Sequence, residues 1–272
     1  MIEATLNGVA LASACPEAVI TAVNRPLGGN VRTEFVEVPG RAGAWAFDEE
    51  PGEMTITVDI DVLVDDIADR RAAIATLRGW AQTPAGRSEL IFDDEPDRYW
   101  SVKFSTAPPM VDDEYVGQTT LTFSAEPYAL ATTASTQGES ASGSPDSGSF
   151  SITDEVDAEP EVVITPTNGT VTSFTLDVNG AEVSWQVANP GVPITILSGQ
   201  SVTISSLSDT VLLGTSGDTN LTGAFDPDDV DMVSVAITGF PILAPGLNTW
   251  SLSWTGTATA VDVDFTWRER FL

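Results

Sequence analysis

Residues 55–62 are TITVDIDV, a strict alternation of polar and apolar side chains. Successive side chains of an extended strand point to opposite faces, so Ile56, Val58, Ile60 and Val62 share one face. The pattern predicts a strand with one buried face and one face in water. A sheet that is covered on one side is therefore expected in the first part of the chain.

The residues that follow this strand predict a helix. Asp65 or Asp66 can cap a helix that runs to about Ala81, with Ile74 and Leu77 at helical spacing. An amphipathic helix next to a half-buried strand is typical of a helix that covers a sheet. We expect this one to pack on the apolar face of the sheet.

Residues 133–149 are rich in Ser, Thr, Gly and Ala and contain few large apolar side chains, a composition typical of a linker or long loop. We therefore predict two domains, residues 1–132 and residues 150–272. The second domain contains short alternating segments, a hairpin signal at Asn179-Gly180 and no convincing helix. The predicted fold class is mainly β: an N-terminal β-sandwich or barrel with one packing helix, then a C-terminal β-sandwich.

The chain is strongly acidic. Forty Asp and Glu face eleven Lys and Arg among 272 residues, for a formal net charge of −29, and Lys103 is the single lysine. Residues 104–267 contain no Lys or Arg at all. Phosphate backbones are held by clustered basic side chains, so sequence-specific nucleic-acid binding is not expected. No apolar run approaches membrane-spanning length, so membrane insertion is not expected either.

The composition also argues against an enzyme. Histidine is absent, which removes the commonest general base and the commonest metal ligand. Cys15 is the single cysteine, so neither an internal disulfide nor a thiolate zinc site can form. Carboxylate pairs arise by chance among forty acidic residues, and no spacing singles one out as a glycosidase pair. We expect no catalytic residue and no cofactor.

Two acidic clusters are weak candidates for a cation site. The first contains Asp93 and Asp94 and continues to Asp97; the second contains Asp226 and Asp228 and continues to Asp231. Carboxylates are the ligands that hard cations prefer, but neither cluster has the ligand spacing of an EF-hand loop. The alternative is a solvated loop in which Asp forms turns, with Arg98 pairing to the first cluster.

Four side chains are candidates for binding a macromolecule. Arg70, Arg71 and Arg78 lie in the predicted helix and could bridge to the acidic surface of a neighbouring subunit; a solvated helix face is the alternative. Trp185 is a candidate for stacking on a sugar ring. Tryptophans in alternating strands also fit a core, and we favour the core for Trp250, Trp254 and Trp267.

An ordered set of motifs resembles the distal tail protein family of siphoviruses. In the first domain, PGRAG at 39–43 precedes the alternating strand and the helix, LIFDDEPDRYW at 90–100 follows, and TLTFSAEPY at 120–128 closes the series. In the second domain, AEPEVVI at 158–164, FPILAPGLN at 240–248 and WRERFL at 267–272 resemble the opening strand, a late turn and the terminus of that family.

This resemblance implies a structural virion protein at the tail tip, made in the host cytoplasm. It implies a homo-hexameric ring that connects the tail tube protein to the tail-tip, hub or receptor-binding proteins. The first domain would form the ring around the DNA channel, and the second would resemble galectins or carbohydrate-binding modules. The extreme acidity departs from the family and is typical of proteins from a halophilic host.

Two other classes of function are open at this point. A host-surface carbohydrate adhesin would bind glycans through the second domain and depend on Trp185 or another exposed aromatic side chain. A hydrolase of cell-wall glycans would lose turnover on substitution of one Asp or Glu. Neither class accounts for the motifs of the first domain.

The charge distribution predicts a salt dependence of stability. Residues 104–267 carry many acidic side chains and no basic one, so they repel one another. Added salt shortens the range of that repulsion. We expect the Tm to rise as NaCl is increased from a few millimolar to molar concentration, measured by thermal unfolding. A fall in Tm over that range would contradict the halophilic interpretation.

Overall fold

The computed structural model divides the chain into two compact units. Unit 1 comprises Met1–Thr132 and Phe271–Leu272, and unit 2 comprises Thr133–Arg270. The structure describes residues 2–26, 31–32, 35–37, 44–46, 50–64, 66–82, 86–106, 111–112, 116–187, 196–213, 219–220 and 233–271. Strands dominate both units, so the predicted mainly β fold class is confirmed.

Unit 1 is built around one antiparallel sheet. Its strands are β1 (Ala4–Leu6), β2 (Val9–Ala10), β3 (Ala18–Asn24), β4 (Val31–Arg32), β5 (Phe35–Glu37), β6 (Ala44–Ala46), β7 (Glu50–Pro51), β8 (Met54–Leu63), β9 (Ser88–Phe92), β10 (Arg98–Thr106), β11 (Val111–Asp112) and β12 (Val116–Ala131). Its helices are α1 (Leu11–Ala14) and α2 (Ile67–Ala81). The main sheet has the order β2-β1-β9-β10-β12-β8-β3, and β11 also pairs with β12. β4 pairs with β7 and β5 pairs with β6.

The alternating segment forms β8, as predicted. Ile56, Val58, Ile60 and Val62 are all buried, and the residues between them are less buried or exposed. β8 pairs with β12 through ten consecutive residue pairs, from Leu63 opposite Val116 to Met54 opposite Ala125. Its other side pairs with β3. β8 is therefore an interior strand whose buried side chains form the centre of the core of unit 1.

Helix α2 begins and ends where its sequence predicts. The carboxylate of Asp66 accepts hydrogen bonds from the backbone N–H groups of Ala68 (2.6 Å) and Asp69 (2.8 Å), which are otherwise unpaired at a helix N-terminus. Leu77 and Trp80 are buried in the same core as β8, and the Trp80 indole N–H donates to the carbonyl of Val9 at 2.8 Å. The helix thus covers the apolar face of the sheet. The finer prediction of a sandwich or barrel in unit 1 stays a prediction.

Unit 2 consists of two sheets that enclose one core. Its strands are β13 (Ser135–Ala141), β14 (Asp146–Ile152), β15 (Glu161–Pro166), β16 (Thr170–Val178), β17 (Ala181–Val187), β18 (Ile196–Leu197), β19 (Val202–Ser205), β20 (Thr210–Leu213), β21 (Thr219–Asn220), β22 (Val233–Ile237), β23 (Gly246–Gly256) and β24 (Val261–Trp267). One sheet has the order β13-β24-β15-β19-β20-β21, and the other has the order β14-β23-β16-β17-β22, with β18 paired to β16. Inward side chains of both sheets contribute to one buried cluster, as in a β-sandwich.

The predicted linker at residues 133–149 is wrong. These residues form β13 and most of β14, which pair with β24 and β23 and are the first strands of the two sheets. Edge strands commonly carry polar side chains, because one side of the strand faces solvent. The small polar residues that indicated a linker are therefore those of two edge strands, and the division between the units follows Thr132.

The hairpin signal at Asn179-Gly180 is confirmed. Both residues have positive φ, 53° and 88°, and they join β16 to β17 with Val178 opposite Ala181. A two-residue turn of this hand requires positive φ at both positions, which Asn and Gly tolerate best. This local signal was sufficient to set the register of the hairpin.

The C-terminus belongs to the sheet of unit 1. The last strand, β25 (Arg270–Phe271), pairs with β12, and Phe271 packs against the core of unit 1. The guanidinium carbon of Arg98 lies 3.8 Å from the centroid of the Phe271 ring, a cation–π contact. Unit 2 is therefore an insertion between two strands of unit 1.

The N-cap of helix α2 can be tested by substitution. Asp66→Ala removes the acceptor for two backbone N–H groups, and we expect a loss of about 1 kcal/mol in the free energy of unfolding of unit 1. Hydrogen exchange of the helix amides measures this loss. Asp66→Asn retains a capping oxygen and serves as the control. Equal protection in the Ala and Asn variants would contradict the capping role.

Candidate functional site

Arg25 lies beside the first acidic cluster, which begins at Asp93 and Asp94. Its guanidinium forms ion pairs with Asp94 and with Glu95 (2.8 Å) and lies 4.9 Å from the centroid of the Phe92 ring. Asp93 accepts a hydrogen bond from the backbone N–H of Glu3 at 2.9 Å. The guanidinium already pairs with Asp94 and Glu95, two of the carboxylates that a metal ion would have to use.

The metal prediction fails at the first cluster for this reason. Asp93 and Asp94 hold the N-terminal strand and Arg25 rather than a cation, and Arg98, which was expected to pair with the cluster, contacts Phe271 instead. Within the described ranges, no group of three or more acidic or Cys side chains could hold a metal ion. Asp226 and Asp228 lie outside the described residues, so that part of the prediction stays a prediction.

A second arginine joins four strands of unit 1. Arg87 pairs with Glu53 at 2.5 Å and Glu126 at 3.2 Å, and it donates to the carbonyl of Ser101 at 3.1 Å. Glu53 also accepts from the Ser124 hydroxyl at 2.7 Å, and this bond, more than the charge of Arg87, lowers the pKa of Glu53 below its ordinary value. This cluster stabilises the sheet and does not form a binding site.

Helix α2 places its three arginines in different surroundings. Arg70 is only 8% exposed and lies on the buried side of the helix, so it is not on the accessible surface that the interface hypothesis required. Arg71 and Arg78 are exposed and lie two helical turns apart on the other side. The interface hypothesis is therefore wrong for Arg70 and stays a prediction for Arg71 and Arg78.

The sugar-binding prediction for Trp185 is wrong. Its side chain is completely buried in unit 2, opposite Phe174 in the β16–β17 ladder, with ring centroids 5.8 Å apart. Trp250, Trp254 and Trp267 are also buried, as favoured from the sequence. These tryptophans fill the sandwich core and cannot stack on a sugar at the surface.

Sequence reasoning missed a buried carboxylate in unit 2. Asp154 is only 6% exposed, and its Oδ1 accepts a long hydrogen bond of 3.4 Å from the Trp267 indole N–H. Its Oδ2 has no hydrogen-bond partner in the described part of the chain. Burial, reinforced by the charge of Glu269, raises the pKa of Asp154 above its ordinary value. Nothing in the local sequence distinguishes Asp154 from the other acidic residues around it.

Among the described side chains, the acidic clusters therefore form no metal site. Neither helix in the described part combines the length and apolarity that a membrane-spanning helix needs. What the structure does present is a β-sheet domain, residues 1–132 with the C-terminal strand, into which a second β unit is inserted.

Comparison with known protein families matches residues 20–125 to the phage tail protein RIFT-related domain. Over these residues, unit 1 is similar to a phage tail domain. The match begins in β3 and ends in β12, so it spans the β8–β12 ladder and helix α2. No curated protein sequence matches the chain at a significant level.

Unit 1 and the inserted unit together have the fold of a solved phage protein. The Dit protein of phage SPP1, described as a paradigm of the hub adsorption apparatus in phages that infect Gram-positive bacteria, is 16% identical, with a TM-score of 0.71 and 100% coverage of both chains. Chains from the baseplate of phage p2, in its activated conformation with Ca or Sr, are 10% identical with TM-scores of 0.47 and 0.43; each comparison covers 99% of this chain and 98% of theirs.

The predicted resemblance to siphovirus distal tail proteins is confirmed by the tail domain of unit 1 and by the fold of the whole chain. The family matched at residues 20–125 is a phage tail protein domain, and the SPP1 Dit protein is described as part of a hub adsorption apparatus. Neither description is that of an enzyme, which supports the prediction that this protein is not an enzyme.

Asp154 provides a test of charge burial in unit 2. Because its folded pKa is raised, the folded state binds the proton more tightly than the unfolded state, and stability falls as the pH rises from the ordinary Asp range through the folded pKa. We expect Asp154→Asn, which keeps an acceptor for Trp267, to raise the Tm of unit 2 at pH 7 and to flatten its decline above pH 4.

The control is Asp157→Asn, which removes the same charge from an exposed residue nearby. Thermal unfolding of both variants between pH 3 and pH 8 separates burial of the charge from the general benefit of lowering the net charge. A larger gain in Tm for Asp157→Asn than for Asp154→Asn would contradict the interpretation.

Proposed function

We propose that the protein is a distal tail protein, a structural component of a siphovirus virion located at the tail tip. The observation that carries the proposal is the phage tail domain at residues 20–125 within a chain that has, over its whole length, the fold of the SPP1 Dit protein. Its role is to connect the tail tube to the tail-tip and receptor-binding proteins of the adsorption apparatus.

The proposed assembly is a homo-hexameric ring formed by unit 1, with unit 2 as the module that the ring carries. Head-to-tail contacts between identical subunits close into a ring when their rotation closes, and they use two different patches on each subunit. The insertion of unit 2 between β12 and β25 supports separate roles for the two units. The main sheet of unit 1 contains no strand of unit 2 other than the start of β25, so unit 1 can form the ring through its own strands.

The acidic surface suits the proposed channel. DNA leaves a virion through the tail, and a wall with a net negative charge repels the phosphate backbone, so that DNA slides without binding. The net charge of −29 also supports a host that grows in high salt, where like charges on neighbouring subunits are screened.

The adhesin alternative is weaker than it was on sequence grounds. Its named sugar-binding candidate, Trp185, is fully buried, and so are the other three tryptophans of unit 2. The hydrolase alternative has no support from the similar proteins, which are structural. The structural role is the one function that accounts for both units.

The proposed ring predicts the mass of the purified protein. We expect light scattering to give about six times the subunit mass of 28.6 kDa, with the hexamer favoured as NaCl approaches molar concentration. Screening lowers the repulsion between acidic subunits, which is why the mass should depend on salt. A monomer at every salt and protein concentration would contradict self-assembly into a ring.

A further inference from the structure

A pocket of about 340 Å³ lies along one flank of helix α2, within unit 1. Its lining includes Glu17, Leu63, Val64, Asp69, Ala72 and Thr76. The pocket therefore combines a short apolar wall at the end of β8 with carboxylates from the helix and from the turn before β3. Leu63 is 51% exposed, so its side chain is accessible from the pocket.

Among the described residues, the two carboxylates of this pocket have no basic partner. Neither Glu17 nor Asp69 forms an ion pair with a basic side chain of the described residues, although both are exposed. Glu17 is held in place by its backbone, whose carbonyl accepts from the N–H of Leu63 at 2.9 Å, and by the thiol of Cys15, whose sulfur lies 3.8 Å from a carboxylate oxygen.

The opposite flank of the same helix is basic. Arg71 and Arg78 are seven residues apart and share one side, whereas Asp69, Ala72 and Thr76 lie about 140° around the axis, at 100° per residue. Arg25, Arg87, Arg98 and Arg270 make ion pairs or ring contacts within the subunit. Arg71 and Arg78 are exposed and make none in the described part of the chain.

We propose that the acidic pocket of one subunit receives an arginine of helix α2, Arg71 or Arg78, from a second copy of the chain. The inference rests on the proposed ring and deepens it by naming one contact. A head-to-tail contact joins two different patches, one from each subunit. Every subunit here offers an acidic flank and a basic flank of the same helix, and these two flanks are complementary in charge.

The pocket suits an arginine side chain chemically. The aliphatic stem can lie against Leu63 and Val64, and the guanidinium can donate to the carboxylates of Glu17 and Asp69. Partial burial of that ion pair weakens its screening by salt relative to the exposed acidic surface. The pair can therefore persist at salt concentrations that suppress the general repulsion between subunits.

Reversal of charge on each flank tests the contact in the full-length protein. The flank variant carries Arg71→Glu and Arg78→Glu, and the pocket variant carries Glu17→Arg and Asp69→Arg. At the lowest salt at which the wild type assembles, we expect each variant alone to associate at least tenfold more weakly, measured by sedimentation. An equimolar mixture should regain wild-type assembly, because each contact between unlike variants then pairs opposite charges.

The stoichiometry of the assembly formed by the mixture is a stricter test of the contact. Contacts between two copies of the same variant place like charges together, so the assembly must alternate and contain the two variants in equal number, which native mass spectrometry reads directly. A single Arg78→Glu variant should also associate more weakly than the wild type, and Lys103→Glu is its matched control. Lys103 is exposed on β10 of the same unit, and both substitutions change the net charge equally. We expect the control to assemble like the wild type, and thermal unfolding verifies that every variant is folded.

The failures of the two proposals are distinguishable. If the wild type assembles and each variant alone assembles equally well, the arginine contact is overturned and the proposed ring is not. Unequal stoichiometry in the mixture also overturns it. A wild-type protein that remains monomeric at every salt concentration overturns the ring, and the arginine contact with it.

Discussion

The ladder between β8 and β12 is the constraint on which the rest of unit 1 depends. Ten consecutive pairs fix the register of the two strands, and a slip of one residue would turn Ile56, Val58 and their neighbours to the opposite face. Helix α2 packs on that face, so its flanks take their positions from the ladder. The exposed Leu63 at the end of β8, and the pocket beside it, follow from the same register.

Basic side chains are scarce, and three of the described arginines form ion pairs within the subunit. Arg25 ties β3 to the turn after β9, Arg87 joins the starts of β8 and β9 to β12, and Arg270 pairs with Glu159 at 2.7 Å. In a chain with a net charge of −29, each of these contacts removes local repulsion as well as adding attraction. The two exposed arginines of helix α2 are therefore available for contacts outside the subunit.

Sequence reasoning succeeded where the physical signal is local. The alternation of β8, the Asp66 cap and the Asn179-Gly180 turn each depend on a few adjacent residues, and all three have the expected conformations. It failed at residues 133–149, because polar edge strands and linkers have the same composition. It also proposed Trp185 for sugar binding, whereas the side chain is buried, because the inward side of β17 depends on which sheet lies opposite.

The sequence by itself determined the mainly β class, the position of the covering helix, the acidic surface and the resemblance to a tail protein, since periodicity, capping and composition are properties of neighbouring residues. Only the tertiary structure decided which charges meet and which are buried. Arg25 finds Glu95 seventy residues away, and Asp154 is enclosed beside Trp267, because the order of strands in each sheet brings distant segments together. That order is a property of the whole chain, and no local pattern contains it.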